Sequence, residues 1–299
     1  MPLKGIYSVS YVFPLTFIVL WASAFATGSV ATEDATPFAA LTFRFAIVAV
    51  GFFGVAWVLS EFSKINRCDL KHSVTTGLLF HGLYLGGCWY SFSVGIPAGV
   101  SALIVCIQPI LTAILAGFLL GEQISLKNWI GLSFGFGGAA IVLGVDFRSE
   151  FAIDGLIANV IALVAITAGT IWQRKFSQTL PLATNNAFQA LAAAVFHGCV
   201  MWWIEDPAIE FTSSFGVSMG WLVIAVSFGA FSILMYLINH NSASQTSALF
   251  FLVPPVAAII GWILLNEGLT TLDMIGFIIA SAGVYLATRK PTRSGIEGG

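Results

Sequence analysis

The chain has 299 residues, of which 58% are hydrophobic and only 9% charged. That is too little charge to coat a water-soluble domain, where roughly a quarter of residues are charged. A formal net charge of -2 offers no basic patch of the kind that nucleic-acid binding demands. Cys68, Cys88, Cys106 and Cys199 show no CxxC spacing, and three of them sit inside apolar runs, so no disulfide framework, metal site or cofactor is expected. The composition implies an all-α integral membrane protein, because lipid cannot satisfy free backbone groups. Its expected partners are the bilayer and a small molecule, and it is expected to be a monomer or weak dimer.

In chain order, ten apolar segments are long enough to cross the hydrocarbon: 11–31, 38–59, 73–94, 98–119, 128–145, 155–174, 185–204, 218–239, 244–265 and 272–288. The first follows Lys4 and contains Ala22-Ser23-Ala24, the outline of a cleaved signal peptide. Its apolar run continues to about Ala31, so it is expected to stay as a membrane helix. Connections are short, and the longest, near 205–217, is acidic and polar.

Lysine and arginine near helix ends stay on the cytoplasmic side. Alternating the segments puts Lys4, Lys64, Arg67, Lys71, Lys127, Arg174, Lys175, Arg289, Lys290 and Arg293 on one side, and Arg148 on the other. Arg44 falls inside the second segment. Both termini are therefore expected in the cytoplasm, at the cell (inner) membrane.

A repeat runs through the chain. Ala98 to Glu122 returns as Ser244 to Glu267, about 145 residues later, with Pro109 on Pro255 and, after one skipped residue, Glu122 on Glu267. Ile130-Gly131 then falls on Ile275-Gly276, and Gly138 on Gly283. The halves, 1–146 and 147–299, hold five segments each. An odd number inserts the second copy upside down, giving inverted repeats within one compact membrane domain.

The sequences SALIVCIQPILTAILAGFLLGE and WIGLSFGFGGAAIVLG, repeated as SALFFLVPPVAAIIGWILLNE and MIGFIIASAGVYLA, resemble the paired EamA-type repeats of the drug/metabolite transporter superfamily. LWASAF at 20–25 and FRFAIVA at 43–49 resemble that family's first and second helices. Within the family, the wealth of Trp, Tyr and Phe most resembles the YddG-type aromatic amino acid exporters. The resemblance implies a ten-helix exporter of small metabolites, foremost aromatic or other apolar amino acids. A permease for other amphiphilic or drug-like compounds is the alternative.

A transporter needs a mid-membrane site reached alternately from each side. Pro109, Pro254 and Pro255 stand deep in the fourth and ninth segments, where each removes a backbone donor and frees a carbonyl. They are candidate hinges, against the plainer reading of packing kinks. Ser101 and Gln108 share one helical face, as do His81, Tyr84 and Cys88. Polar side chains at that depth face protein or water, so these stripes are expected to point inward, to substrate or to each other. Trp21, at mid-depth in the first segment, is a candidate for stacking on an aromatic substrate, with Thr167 in its counterpart region. Tyr90 and Trp172 are candidates for the two gates.

Arg44 is expected to be structural, snorkelling toward the interface, with carboxylate attraction as the alternative; its repeat partner is Gln189. The pairs Gly82/Gly86, Gly95/Gly99, Gly117/Gly121 and Gly131/Gly135 have the small-xxx-small spacing that brings membrane helices close. All 14 Asp and Glu fall in loops or at helix ends, leaving none at mid-membrane to carry protons. The chain departs here from the small multidrug relatives that the resemblance brings with it, and facilitated export is expected. Gly131-Leu132-Ser133-Phe134-Gly135 satisfies G-x-S-x-G, the pattern of a serine hydrolase. That elbow needs a strand-to-helix turn, whereas this stretch lies in a glycine-rich helix, so the hydrolase is a distant alternative and no catalytic residue is expected.

Overall fold

Where no water can pair a backbone N–H or C=O, the chain has to pair them itself. The computed structural model describes residues 6–62, 66–96, 98–144, 151–177, 180–265 and 270–289, and helices dominate throughout. Helices α1 (Ile6–Glu33) and α2 (Pro37–Val58) come first. Next, α3 (Arg67–Gly77) runs through a π-helical stretch (Leu78–Leu85) into α4 (Gly86–Ser93). Helices α5 (Ala98–Val105) and α6 (Gln108–Leu120) are interrupted at Cys106 and Ile107. Then come α7 (Leu126–Leu143), α8 (Ile153–Phe176) and α9 (Leu182–Ile204). A second π-helical stretch (Leu222–Ala230) joins α10 (Ser213–Trp221) to α11 (Phe231–His240). A 3₁₀ turn (Leu249–Leu252) joins α12 (Ala243–Ala248) to α13 (Val253–Leu265), and α14 (Thr271–Ala287) closes the series.

Among the described residues, seven helical stretches are long and apolar enough to cross a membrane: Pro37–Val58, Val100–Leu120, Leu126–Leu143, Ile153–Phe176, Leu182–Ile204, Ser213–His240 and Ala243–Ile263. Tyr11–Ala24 within α1, and Thr271–Ala287, which is α14, are shorter apolar stretches. The segment expected at 73–94 is occupied by α3, the π stretch and α4, and it starts polar, with Arg67, Asp69, Lys71 and His72.

Two helix pairs run antiparallel in close contact. Beyond the C-terminus of α2, Glu61 accepts from the backbone N–H of Thr184 at 3.0 Å and its hydroxyl at 3.2 Å, in the first turn of α9. In return Glu205, at the C-terminus of α9, accepts from the N–H groups of Phe38 at 2.9 Å and Ala39 at 3.2 Å, in the first turn of α2. Each carboxylate satisfies orphan donors and faces the positive end of a helix dipole, worth about 0.5–2 kcal/mol per cap. Glu122, just past α6, likewise accepts from the N–H groups of Ala243 at 2.6 Å and Ser244 at 3.2 Å at the start of α12. Its sequence counterpart Glu267 lies outside the described residues, as do Lys4, Lys64, Arg148, Lys290 and Arg293.

The second pair, α7 and α14, meets backbone to backbone. A Cβ added at Gly131 would come within 2.4 Å of the Ala287 nitrogen, and one at Gly138 within 2.3 Å of the Ala280 nitrogen. Asn128 closes this contact by donating to the carbonyls of Ala287 at 2.8 Å and Arg289 at 3.0 Å. The other glycine pairs behave differently. Gly95 and Gly121 take positive φ values of 89° and 67° and end their helices, while Gly82 and Gly86 sit against the rings of Phe196 and His197.

The two ends of the bundle differ in charge. One carries Arg67, Lys71, Lys127, Arg174, Lys175 and Arg289, drawn together by contacts such as Arg174 to the Asn239 carbonyl at 2.7 Å and Gln245 to the Thr288 carbonyl at 3.0 Å. At the other, the loops after α1 and α9 pair through a bridge between Ala35 and Ile209, and Thr212 donates to Asp34 at 2.7 Å. That end carries Glu33, Asp34, Asp154, Glu205, Asp206, Glu210 and Asp273, and no Lys or Arg among the described residues.

Gly138→Leu is expected to cost at least about 1–3 kcal/mol by overpacking against α14 and to remove the monodisperse peak in detergent size exclusion. Gly137→Ala, which points into open space, should leave that peak unchanged.

Candidate functional site

Four irregular stretches within the described helices converge on one cavity of about 300 Å³. The first π stretch supplies His81, Tyr84 and Leu85, and the second supplies Val226 and Ser227. The break between α5 and α6 is flanked by the lining residues Val105, Cys106 and Gln108, and the 3₁₀ turn and start of α13 bring Phe250, Val253 and Pro254. Non-α backbone at membrane depth is tolerated where protein buries it or a cavity hydrates it, and π-helical turns recur at functional positions. The prolines suit these places. Pro109 is at the second position of α6, and Pro254 and Pro255 open α13, where the missing N–H groups cost least.

One wall is aromatic. Trp21 packs edge-on against Phe250 at 5.4 Å between ring centres, with Phe17 behind it at 5.3 Å. Tyr84, Trp89, Phe92 and Phe231 also line the cavity. Toward the acidic end of the bundle the lining reaches Thr32, Phe92 and Ile96.

The polar groups are few and well buried. Gln108 is 1% exposed, and its amide nitrogen donates toward the hydroxyls of Thr112 at 2.9 Å, Ser247 at 3.1 Å and Thr170 at 3.3 Å. The Thr170 hydroxyl already donates to the Ile166 carbonyl at 2.9 Å, so it can only accept from Gln108, which fixes the amide orientation. The Gln108 Oε1 is left without a hydrogen-bond partner. Ser101 donates to Asn159 Oδ1 at 2.5 Å. The His81 ring lies 4.7 Å from Phe45 and 4.1 Å from Phe231. Its backbone carbonyl takes a 3.0 Å hydrogen bond from His197 Nε2, which places the proton of that imidazole on Nε2. Arg44 is buried and donates from Nε to Ser227 Oγ at 3.1 Å. It therefore points into the protein instead of snorkelling outward.

Of the residues singled out in the sequence, the cavity gathers Trp21, His81, Tyr84, Ser101, Gln108 and Pro254. Pro109 and Pro255 adjoin it without lining it. Tyr90 is elsewhere, donating to Asp154 at 2.9 Å near the acidic end. Thr167 is buried in α8, its hydroxyl bonded to the Leu163 carbonyl at 2.7 Å. Trp172 packs against Phe176 at 4.6 Å and His72 at 5.7 Å toward the basic end. Sequence reasoning missed Ser227, Trp89 and Phe250 as lining residues, and no local pattern marks them. Arg44 did carry a signal, as a cation inside an apolar segment. Its repeat counterpart Gln189 is buried near Met235, away from the cavity.

The profile of the EamA-like transporter family matches this chain twice, over residues 9–144 and 154–289. The chain is 25% identical over 246 residues to a Bacillus subtilis protein described as uncharacterized transporter YvbV, covering 79% of each. It is 26% identical over 206 residues to a probable terminal-alkyne amino-acid exporter of Streptantibioticus cattleyicolor, covering 66% of each. A protein of known crystal structure has the same fold, with a TM-score of 0.79 at 18% identity, covering 94% of this chain and 97% of its own. With both halves matched by one profile and a solute-sized chamber between them, this multi-pass membrane protein belongs to the EamA-like transporter family.

Proposed function

We propose that this transporter exports small metabolites, foremost amino acids with aromatic or other apolar side chains, by alternating access around the cavity. The carrying observation is the convergence of four irregular stretches of the described helices on one chamber with an aromatic wall and few polar groups. The Streptantibioticus cattleyicolor relative, a probable terminal-alkyne amino-acid exporter, supports that substrate class. In this reading Trp21 and Tyr84 stack on the side chain, Gln108 Oε1 accepts from the ammonium, and His81 and Ser101 complete the polar lining.

The chain is read as ten crossings in two inverted halves. Support comes from the doubled family match and from the antiparallel pairing of α2 with α9 and α7 with α14. The basic end is read as cytoplasmic, together with both termini, and the acidic end, toward which the cavity lining extends, as external. Closure at the basic end then rests on Glu122 capping α12 and Arg174 bonding the end of α11. Alternation exchanges these contacts for a mirror-related set, with Pro109, Pro254 and Pro255 as hinges and Tyr90 and Trp172 near the opposite gates. No carboxylate lines the cavity among the described residues, which favours facilitated flux over carboxylate-based proton antiport.

In proteoliposomes, counterflow of L-phenylalanine or L-tryptophan is expected with or without a pH gradient; movement of a cationic dye alone, dependent on the gradient, would overturn this reading. Gln108→Leu should reduce phenylalanine flux about tenfold by removing an acceptor for a charged donor, while Ser133→Ala, whose hydroxyl merely bonds the Trp129 carbonyl, should leave it unchanged. Cysteines introduced near the two chain ends should both react from the cytoplasmic face, and labelling from opposite faces would refute the inverted arrangement.

A further inference from the structure

Arg44 is 4% exposed, lines the cavity, and makes one side-chain hydrogen bond, from Nε to Ser227. The described acidic side chains sit at the two ends of the bundle, and none pairs with it. Beside it the Phe45 ring lies 5.4 Å from the guanidinium carbon, a weak partner for a desolvated cation, and the imidazoles of His81 and His197 nearby supply no counter-charge. A charge buried without a counter-charge is costly, and charged groups held inside membrane proteins ordinarily pair or serve the transported solute. Because Ser227 occupies Nε, both terminal nitrogens stay available, and that planar pair matches a carboxylate bidentately.

We infer that Arg44 is the seat of a carboxylate on the transported molecule, held in place by Ser227 from the facing π-helical stretch. The inference rests on the transport reading above and narrows its substrate class to carboxylic acids, amino acids included. A phosphate dianion fits less well, because no second Lys or Arg lines the cavity among the described residues. Gln108 also lines the cavity, its buried Oε1 an acceptor without a partner, and so do Trp21 and Phe250, which pack edge-on. A single cationic seat, one acceptor and an aromatic wall correspond to the three parts of an α-amino acid with an apolar side chain. Ser227 is thereby a positioning residue, acting on substrate through the guanidinium.

The test uses purified full-length protein and matched probes that differ in the carboxylate: phenylacetate against phenethyl alcohol, and L-phenylalanine against phenethylamine. Thermal stabilisation of the unaltered protein by the two carboxylates, at about tenfold lower concentration than by their partners, is the expected result. Arg44→Gln should remove that preference and Arg44→Lys should retain part of it, while Ser227→Ala weakens it without abolishing it. Equal stabilisation by acid and alcohol in the unaltered protein overturns the assignment, and so does a preference that survives Arg44→Gln; the first comparison stands even if the variant does not fold. Transport is measured separately. Carboxylate-selective stabilisation without counterflow would sink the export reading and keep the seat, whereas counterflow of phenethylamine as fast as of phenylalanine would do the reverse.

Discussion

Every backbone N–H and C=O in this protein must find a partner where lipid supplies none. That obligation explains why the described chain is dominated by helices, and it also explains where the helices stop being regular. A π-helical stretch, a broken turn or a 3₁₀ turn shifts backbone groups away from α-helical pairing. Among the described residues, the two π-helical stretches, the break at Cys106 and Ile107 and the turn at Leu249–Leu252 all reach the same interior chamber. The chamber and the irregular backbone thus sustain each other: the deviations widen the space between helices, and the space keeps the deviations away from lipid.

The same obligation governs the helix ends. Glu61 satisfies the first turn of α9, Glu205 that of α2, and Glu122 that of α12. Each carboxylate follows one helix and caps another far away in the chain, so the caps also fix which elements are neighbours and that they run antiparallel. The α7–α14 contact is of another kind. There glycine and alanine bring two backbones together along a line, and dispersion with close approach replaces the hydrophobic drive that is missing between helices in lipid. Caps at the ends are local and reversible, whereas an interlocked glycine seam resists separation. A transporter that alternates between two faces has use for both kinds of joint.

The cavity chemistry follows from scarcity. Few polar side chains reach it, and three have their geometry settled by neighbours: Gln108 by three hydroxyls, Ser101 by Asn159, Arg44 by Ser227. Groups pre-oriented in this way lose little freedom when a solute arrives. The aromatic wall around Trp21 and Phe250 supplies area without adding charge, and no Asp or Glu is among the described lining residues.

Much of this was legible in the residues. Long apolar runs, scarce charge and the return of one motif about 145 residues later state a membrane protein built from related segments, because bilayer thickness sets helix length and duplication preserves spacing. Helical periodicity also put His81 with Tyr84, and Ser101 with Gln108, on inward faces, since i to i+3, i+4 and i+7 neighbours share a side of any helix. Contacts across the bundle were another matter. That Phe250 meets Trp21, that Ser227 meets Arg44, and that Thr167 and Trp172 stay outside the chamber depend on how helices distant in sequence are rotated against each other. Rotation is set by packing at glycine seams and by the extra turn residues of two π-helical stretches, which no local pattern announces. Arg44 shows the division best: its place in an apolar segment marked it as unusual, but its direction is set by Ser227 on a helix distant in sequence.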